Sequence, residues 1–142
     1  MFTKSLAATL LGLSLSASLF AADAPPPPYS PGVMADGTFY VSGHLGTDPA
    51  TQKIPADADV EAHLVLDAVK QTLTQAGLSM DDLVSVTVYC TDLGLYDRFN
   101  SVYRGYFHDR FPARAFIGVN QLVRGAHFEI AGTAVKSRAS AR

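Results

Sequence analysis

Residues 57–76 repeat their apolar side chains at helical spacing. Ala62, Val65, Leu66, Val69, Leu73 and Ala76 share one face, while Asp67, Lys70, Gln71 and Thr74 lie away from it. Asp57 or Asp59 can cap the start, and Gly77 stops the helix. Immediately downstream, residues 82–91 are rich in β-branched residues and largely alternate, which reads as a strand. The succession then recurs. Residues 95–108 put Leu95, Phe99, Val102, Tyr103 and Tyr106 on an inward helical face, and Pro112 follows as a stop signal. Residues 113–119 and 127–136 read as two further strands joined around Arg124-Gly125. Upstream, Asp36-Gly37 marks a tight turn, with residues 38–43 as the return strand of a hairpin. This order predicts an α+β domain: one mixed sheet with a hairpin at each end and two helices packed on one face. Too few elements remain to cover the other face, so an oligomer is expected.

The folded part does not span all 142 residues. Lys4, the apolar run 6–20 and the small residues Ala21 and Ala22 have the three parts of a secretory signal over residues 1–22. The alternative is a retained membrane anchor, for which the run is short and serine-rich. Cleavage would make the protein periplasmic or secreted and free of the membrane. Residues 23–28 form a proline-rich spacer, and residues 29–138 form a single domain. Losing the signal removes Lys4 and no acid, so the formal charge moves from −2 to −3. A mildly acidic chain without a basic run gives no support for nucleic-acid binding. The lone Cys90 sits in a strand-like run and reads as a buried, inert thiol. No Cys/His cluster has metal-ligand spacing and no glycine-rich phosphate loop is present, so no cofactor is expected.

Two charged residues stand among apolar neighbours in the last two strands: Arg114, after Phe111-Pro112-Ala113, and Glu129, between Phe128 and Ile130. Burying either charge is costly unless a ligand or ion pair compensates it. A guanidinium offers a planar fork for a carboxylate, and a glutamate can move a proton or orient water. Alternation puts Arg114, Phe116 and Gly118 on one face, a pocket floor, and Ala115, Ile117 and Val119 on the other, as core. The bland alternatives are that Arg114 pairs with Glu129 or Asp92 to stitch the sheet, and that Glu129 is solvated on an edge strand. Ser42-Gly43-His44 closes the hairpin strand, so simple alternation puts Ser42 and His44 on one face. His44 can titrate near neutrality, although a loop-edge histidine without a role is the plainer reading. Tyr29 and Asn100 are polar groups near element ends, where sites tend to lie. His63 and His108 read as solvent-facing.

Several pieces, each weak alone, occur together in order: Pro28-Tyr29-Ser30-Pro31, Val41-Ser42-Gly43, Gly77-Leu78, Val86-Thr87-Val88-Tyr89 with Asp92, Asn100-Ser101-Val102-Tyr103, Tyr106-Phe107, Phe111-Pro112-Ala113-Arg114 and Glu129-Ile130. With them the chain resembles the RidA/YjgF family of reactive-intermediate deaminases. The resemblance implies a chorismate-mutase-like fold and a homotrimer with its sites in clefts between subunits. It also implies cofactor-free hydrolysis of 2-imino acids or their enamines to 2-keto acids and ammonia. Arg114 would bind the substrate carboxylate and Glu129 would orient or activate water, with Tyr29, Ser42 and Asn100 lining the cleft. Three positions depart from the family pattern: His44 replaces Gln, Phe116 replaces a smaller residue, and Ala131 replaces a second acid. The first two changes place His44 and Phe116 among the substrate-binding candidates. They also keep open a rival reading, a non-catalytic small-carboxylate-binding trimer in the periplasm.

Overall fold

The computed structural model describes residues 26–136, so the signal read over residues 1–22 lies outside the described residues. Asp36 and Gly37 take φ values of 47° and 76°. That left-handed pair closes the hairpin between β1 (Gly32–Ala35) and β2 (Thr38–Leu45). Helix α1 (Ala58–Gln75) starts at Asp57, whose carboxylate accepts the Asp59 and Val60 N–H groups, and ends before Gly77 at φ 74°. Strand β3 (Leu83–Cys90) follows. Helix α2 is shorter than its apolar periodicity suggests, spanning Tyr96–Tyr103, with one tighter turn on either side at 93–95 and 104–106. The Asp92 carboxylate holds the Gly94 N–H before the helix, and Gly105 weakens helical order after it. Strands β4 (Ala113–Gly118) and β5 (Phe128–Val135) complete the domain.

The sheet runs β1-β2-β5-β3-β4, with β3 and β4 parallel and every other pair antiparallel. The terminal hairpin expected from sequence does not form. The crossover through α2 returns β4 parallel to β3 at the sheet edge, and β5 inserts between β2 and β3. Glu129 therefore sits on a central strand and not on an edge.

Both helices pack on one face. Val65, Leu66, Val69 and Leu73 of α1 and Phe99 of α2 are fully buried against Val86, Val88, Phe128 and Ile130. Cys90 joins this core, and burial pushes its thiol pKa up, keeping it protonated and unreactive. Among the described residues no helix covers the other face. Ala115 and Ile117, expected as core, lie there exposed, together with Tyr40 and Val84. Residues along β4 do alternate, but with the expected sides exchanged: Arg114 and Phe116 point to the helices.

One buried charge fixes the start of β5. Glu61 on α1 has no exposed surface, and its carboxylate accepts the backbone N–H of His127 at 2.7 Å and of Phe128 at 2.9 Å, and meets His127 Nδ1 at 2.5 Å. Gly46 makes this approach possible: a Cβ there would lie 2.7 Å from Glu61 Cγ and overlap the Glu61 carbonyl.

Candidate active site

Tyr29, Ser42, His44 and Glu129 come together in a cleft of about 740 Å³ at the end of β2, which Arg124, Thr72 and Gln71 also line. A bulge shapes it. Val41 pairs with Gly132 but His44 pairs with Ile130, so β2 carries one extra residue across this step. His44 therefore turns to the helix side, and the shared face expected for Ser42 and His44 is lost. Its Nδ1 lies 2.7 Å from the Ser42 carbonyl oxygen and its Nε2 lies 2.8 Å from Thr72 Oγ1. A carbonyl only accepts, so Nδ1 carries a proton, and in the neutral ring Nε2 accepts from the threonine hydroxyl. Both nitrogens are thus engaged by the protein.

Ser42 ties the entering chain to the cleft. Its N–H donates to Pro31 O at 3.0 Å and its hydroxyl to Ser30 O at 2.5 Å, which holds the exposed Tyr29 beside the opening. Glu129, half-buried, lies directly over Gly43, where a Cβ would be 3.0 Å from its Cδ and would overlap Oε1. Glycine at the bulge thus sets the position of the carboxylate.

Arg114 and Asn100 lie elsewhere, in a hollow of about 200 Å³ also lined by Tyr96, Tyr103, Phe111 and Pro112. Arg114 Nη2 donates to Asn100 Oδ1 at 2.8 Å. Its Cζ stands 4.6 Å from the centre of the Tyr103 ring, 5.6 Å from Phe116 and 5.8 Å from Tyr96. Among the described residues it forms no ion pair, so it stitches neither to Glu129 nor to Asp92. A half-buried guanidinium resting on aromatic faces, with one amide and no carboxylate, keeps donors available for an anion. Phe116 supports the guanidinium from within, packed edge-on to Tyr96 at 4.9 Å and against Phe99 at 5.5 Å, and it does not line the hollow.

Tyr103 was legible in the sequence only as an inward helix position. It is 4 % exposed, and its hydroxyl makes no hydrogen bond of regular geometry among the described residues, though it stands within the reach of Arg114. Burial pushes its pKa up to about 12, opposed by the charge of the neighbouring Arg114 and by hydrogen bonding to it, so the phenol stays neutral. Arg124, which lines the cleft, was also missed.

The candidates thus form two groups that one chain cannot bring together. Arg114 faces the helices on the edge strand β4. Glu129 faces the open side on β5, with β3 between them. The alternating sides of neighbouring residues enforce this separation.

A single five-stranded mixed sheet with two helices on one face and polar groups gathered at strand ends defines a small chorismate-mutase-like α+β domain. The family model described as Endoribonuclease L-PSP matches residues 21–136. The chain belongs to this family, that of the RidA/YjgF proteins. It is 38% identical over 117 residues to a RutC family protein of Sulfurisphaera tokodaii, covering 80% of this chain and 94% of that one. It is 39% identical over 110 residues to the 2-iminobutanoate/2-iminopropanoate deaminase of Bos taurus, covering 77% and 80%. Among solved structures, Escherichia coli TdcF with bound serine superposes with a TM-score of 0.74 at 35% identity, covering 79% and 91%. RidA of an Antarctic Psychrobacter gives 0.74 at 32% identity, with the same coverage of 79% and 91%.

Proposed function

We propose that the protein hydrolyses small 2-imino acids, or their enamine tautomers, to 2-keto acids and ammonia, as a homotrimer whose sites lie between subunits. The observation that carries this reading is Arg114, a half-buried guanidinium held by Asn100 and three aromatic rings without a carboxylate partner. Its placement suits a ligand carboxylate. The separation of Arg114 from Glu129 within one chain, and the apolar residues on the open sheet face, support assembly of the site from two copies.

In this reading Arg114 of one subunit grips the substrate carboxylate through its planar fork and so fixes the imine carbon. Glu129 of the neighbour, positioned by Gly43, orients a water and takes its proton as the oxygen attacks that carbon. Handing that proton to nitrogen gives the carbinolamine; the same carboxylate then takes the hydroxyl proton and passes it to the amine, so the C–N bond breaks and ammonia leaves as the carbonyl forms. Imine hydrolysis proceeds in water unaided, so orientation and one proton shuttle suffice. His44, held at both nitrogens, shapes the cleft and takes no proton in this scheme. The signal-like character of residues 1–22 supports export of this activity from the cytoplasm.

The family's endoribonuclease description does not suit this chain as well. A formal charge of −2 without a basic run gives no support for binding a phosphate backbone. The serine held by TdcF favours a second reading, capture of small carboxylates without turnover. Ammonia release from imines generated in place by an amino-acid oxidase separates the two. The deaminase accelerates release, and Arg114→Ala abolishes the acceleration while the trimer persists. Carboxylate binding without acceleration on any imine would favour the second reading.

A further inference from the structure

The Tyr103 hydroxyl is the one buried side-chain polar atom among the described residues with no hydrogen bond of regular geometry, and the group close enough to act on it is the Arg114 guanidinium. Leaving such a group unpaired is destabilising, and a phenylalanine would fill the same space without that penalty. The ring itself is fully used. It lies under the Arg114 guanidinium at 4.6 Å and packs against Phe99 at 5.7 Å and Phe107 at 4.7 Å. The hydroxyl therefore stands beside a guanidinium whose observed side-chain hydrogen bond runs from Nη2 to Asn100. Guanidinium groups only donate and a neutral phenol oxygen accepts, so the two are chemically matched.

We propose that Tyr103 is a positioning residue for Arg114. Its ring is the platform on which the guanidinium rests, and its hydroxyl oxygen is the acceptor that an Arg114 N–H takes when the fork turns to face a substrate carboxylate. The loose contact between the hydroxyl and the guanidinium is then one that tightens on binding, as site hydrogen bonds commonly do. Its neutral state, maintained by burial, is the state this role requires. Asn100 and Tyr103, one helical turn apart on α2, would thus hold the fork from two directions and fix its plane. The inference rests on the carboxylate role of Arg114 given above, but not on turnover.

The test uses the mature protein and two readouts: binding of 2-ketobutyrate by calorimetry, and ammonia release from oxidase-generated imines. Tyr103→Phe keeps the platform and removes the acceptor. Expected are a Tm equal to or above wild type and 2-ketobutyrate binding weakened about tenfold, the scale of one hydrogen bond to a charged group. KM should rise to match, with kcat changed less. Tyr103→Leu, which removes the platform as well, should weaken binding further. Unchanged binding and KM in Tyr103→Phe would overturn the proposal and make the bare hydroxyl a packing accident. If wild type binds 2-ketobutyrate through Arg114 but turns over no imine, the deaminase reading falls and the Tyr103→Phe affinity still decides this one. If wild type does not bind 2-ketobutyrate, both fall.

Discussion

Gly43→Ala separates the position of Glu129 from the stability of the fold. A Cβ on residue 43 would lie 3.0 Å from Glu129 Cδ and 3.3 Å from Cγ, and would overlap Oε1. Ordinary van der Waals contact begins at 3.4 Å, so the carboxylate must swing aside by roughly an ångström or more. Neighbouring backbone is not in the way, since the atoms met belong to the far end of a flexible side chain. Nor does alanine meet a dihedral penalty, because Gly43 is not among the residues at positive φ. Replacing glycine where alanine fits leaves stability unchanged or raises it by about 0.4–1 kcal/mol through the unfolded chain. A displacement of this size in a group that orients water should lower kcat about a hundredfold. Thermal unfolding, sedimentation for the proposed trimer and steady-state ammonia release on the same preparation give the three quantities. A variant that folds, assembles and keeps wild-type kcat would refute the placement of Glu129 at the chemistry.

Two further outcomes follow from buried groups. Glu61→Ala strips the acceptor from the His127 and Phe128 N–H groups, and orphaning them should cost about 2–4 kcal/mol, read in urea unfolding. Glu61→Gln, which keeps one oxygen for the two backbone donors, should lose clearly less. Tyr103 has its pKa raised in the folded state, so the folded protein holds this proton more tightly than the unfolded chain. Its contribution is intact below pH 10.0, the ordinary value, and is lost as pH climbs towards about 12. Tyr103→Phe should therefore flatten the fall in Tm across that window.

The elements were legible because their periods are clean. The apolar stripe of α1 and the β-branched run of β3 gave both elements to within a residue or two. Topology was less so. That β5 enters between β2 and β3 depends on which strands pair, and hydrophobic period carries no information about partners. The extra residue in β2 reversed the side of His44, and no alternation pattern announces a bulge at Ser42-Gly43. Arg114 and Glu129 were found because a charge in an apolar strand is conspicuous. Glu61 escaped because an acid in the first turn of a helix ordinarily serves the helix dipole. Tyr103 escaped because its ring satisfies the core pattern, and the place of its hydroxyl beside Arg114 is visible only in three dimensions.

The most direct test of an active site shared between subunits is complementation. Arg114→Ala and Glu129→Gln proteins, each inactive alone, are unfolded together, refolded as mixed trimers and assayed for ammonia release from imines. Sites that draw Arg114 from one subunit and Glu129 from its neighbour should regain activity, at about one site in four by random assortment. Mixed trimers that form and stay inactive, beside a refolded wild type that is active, would contradict the account.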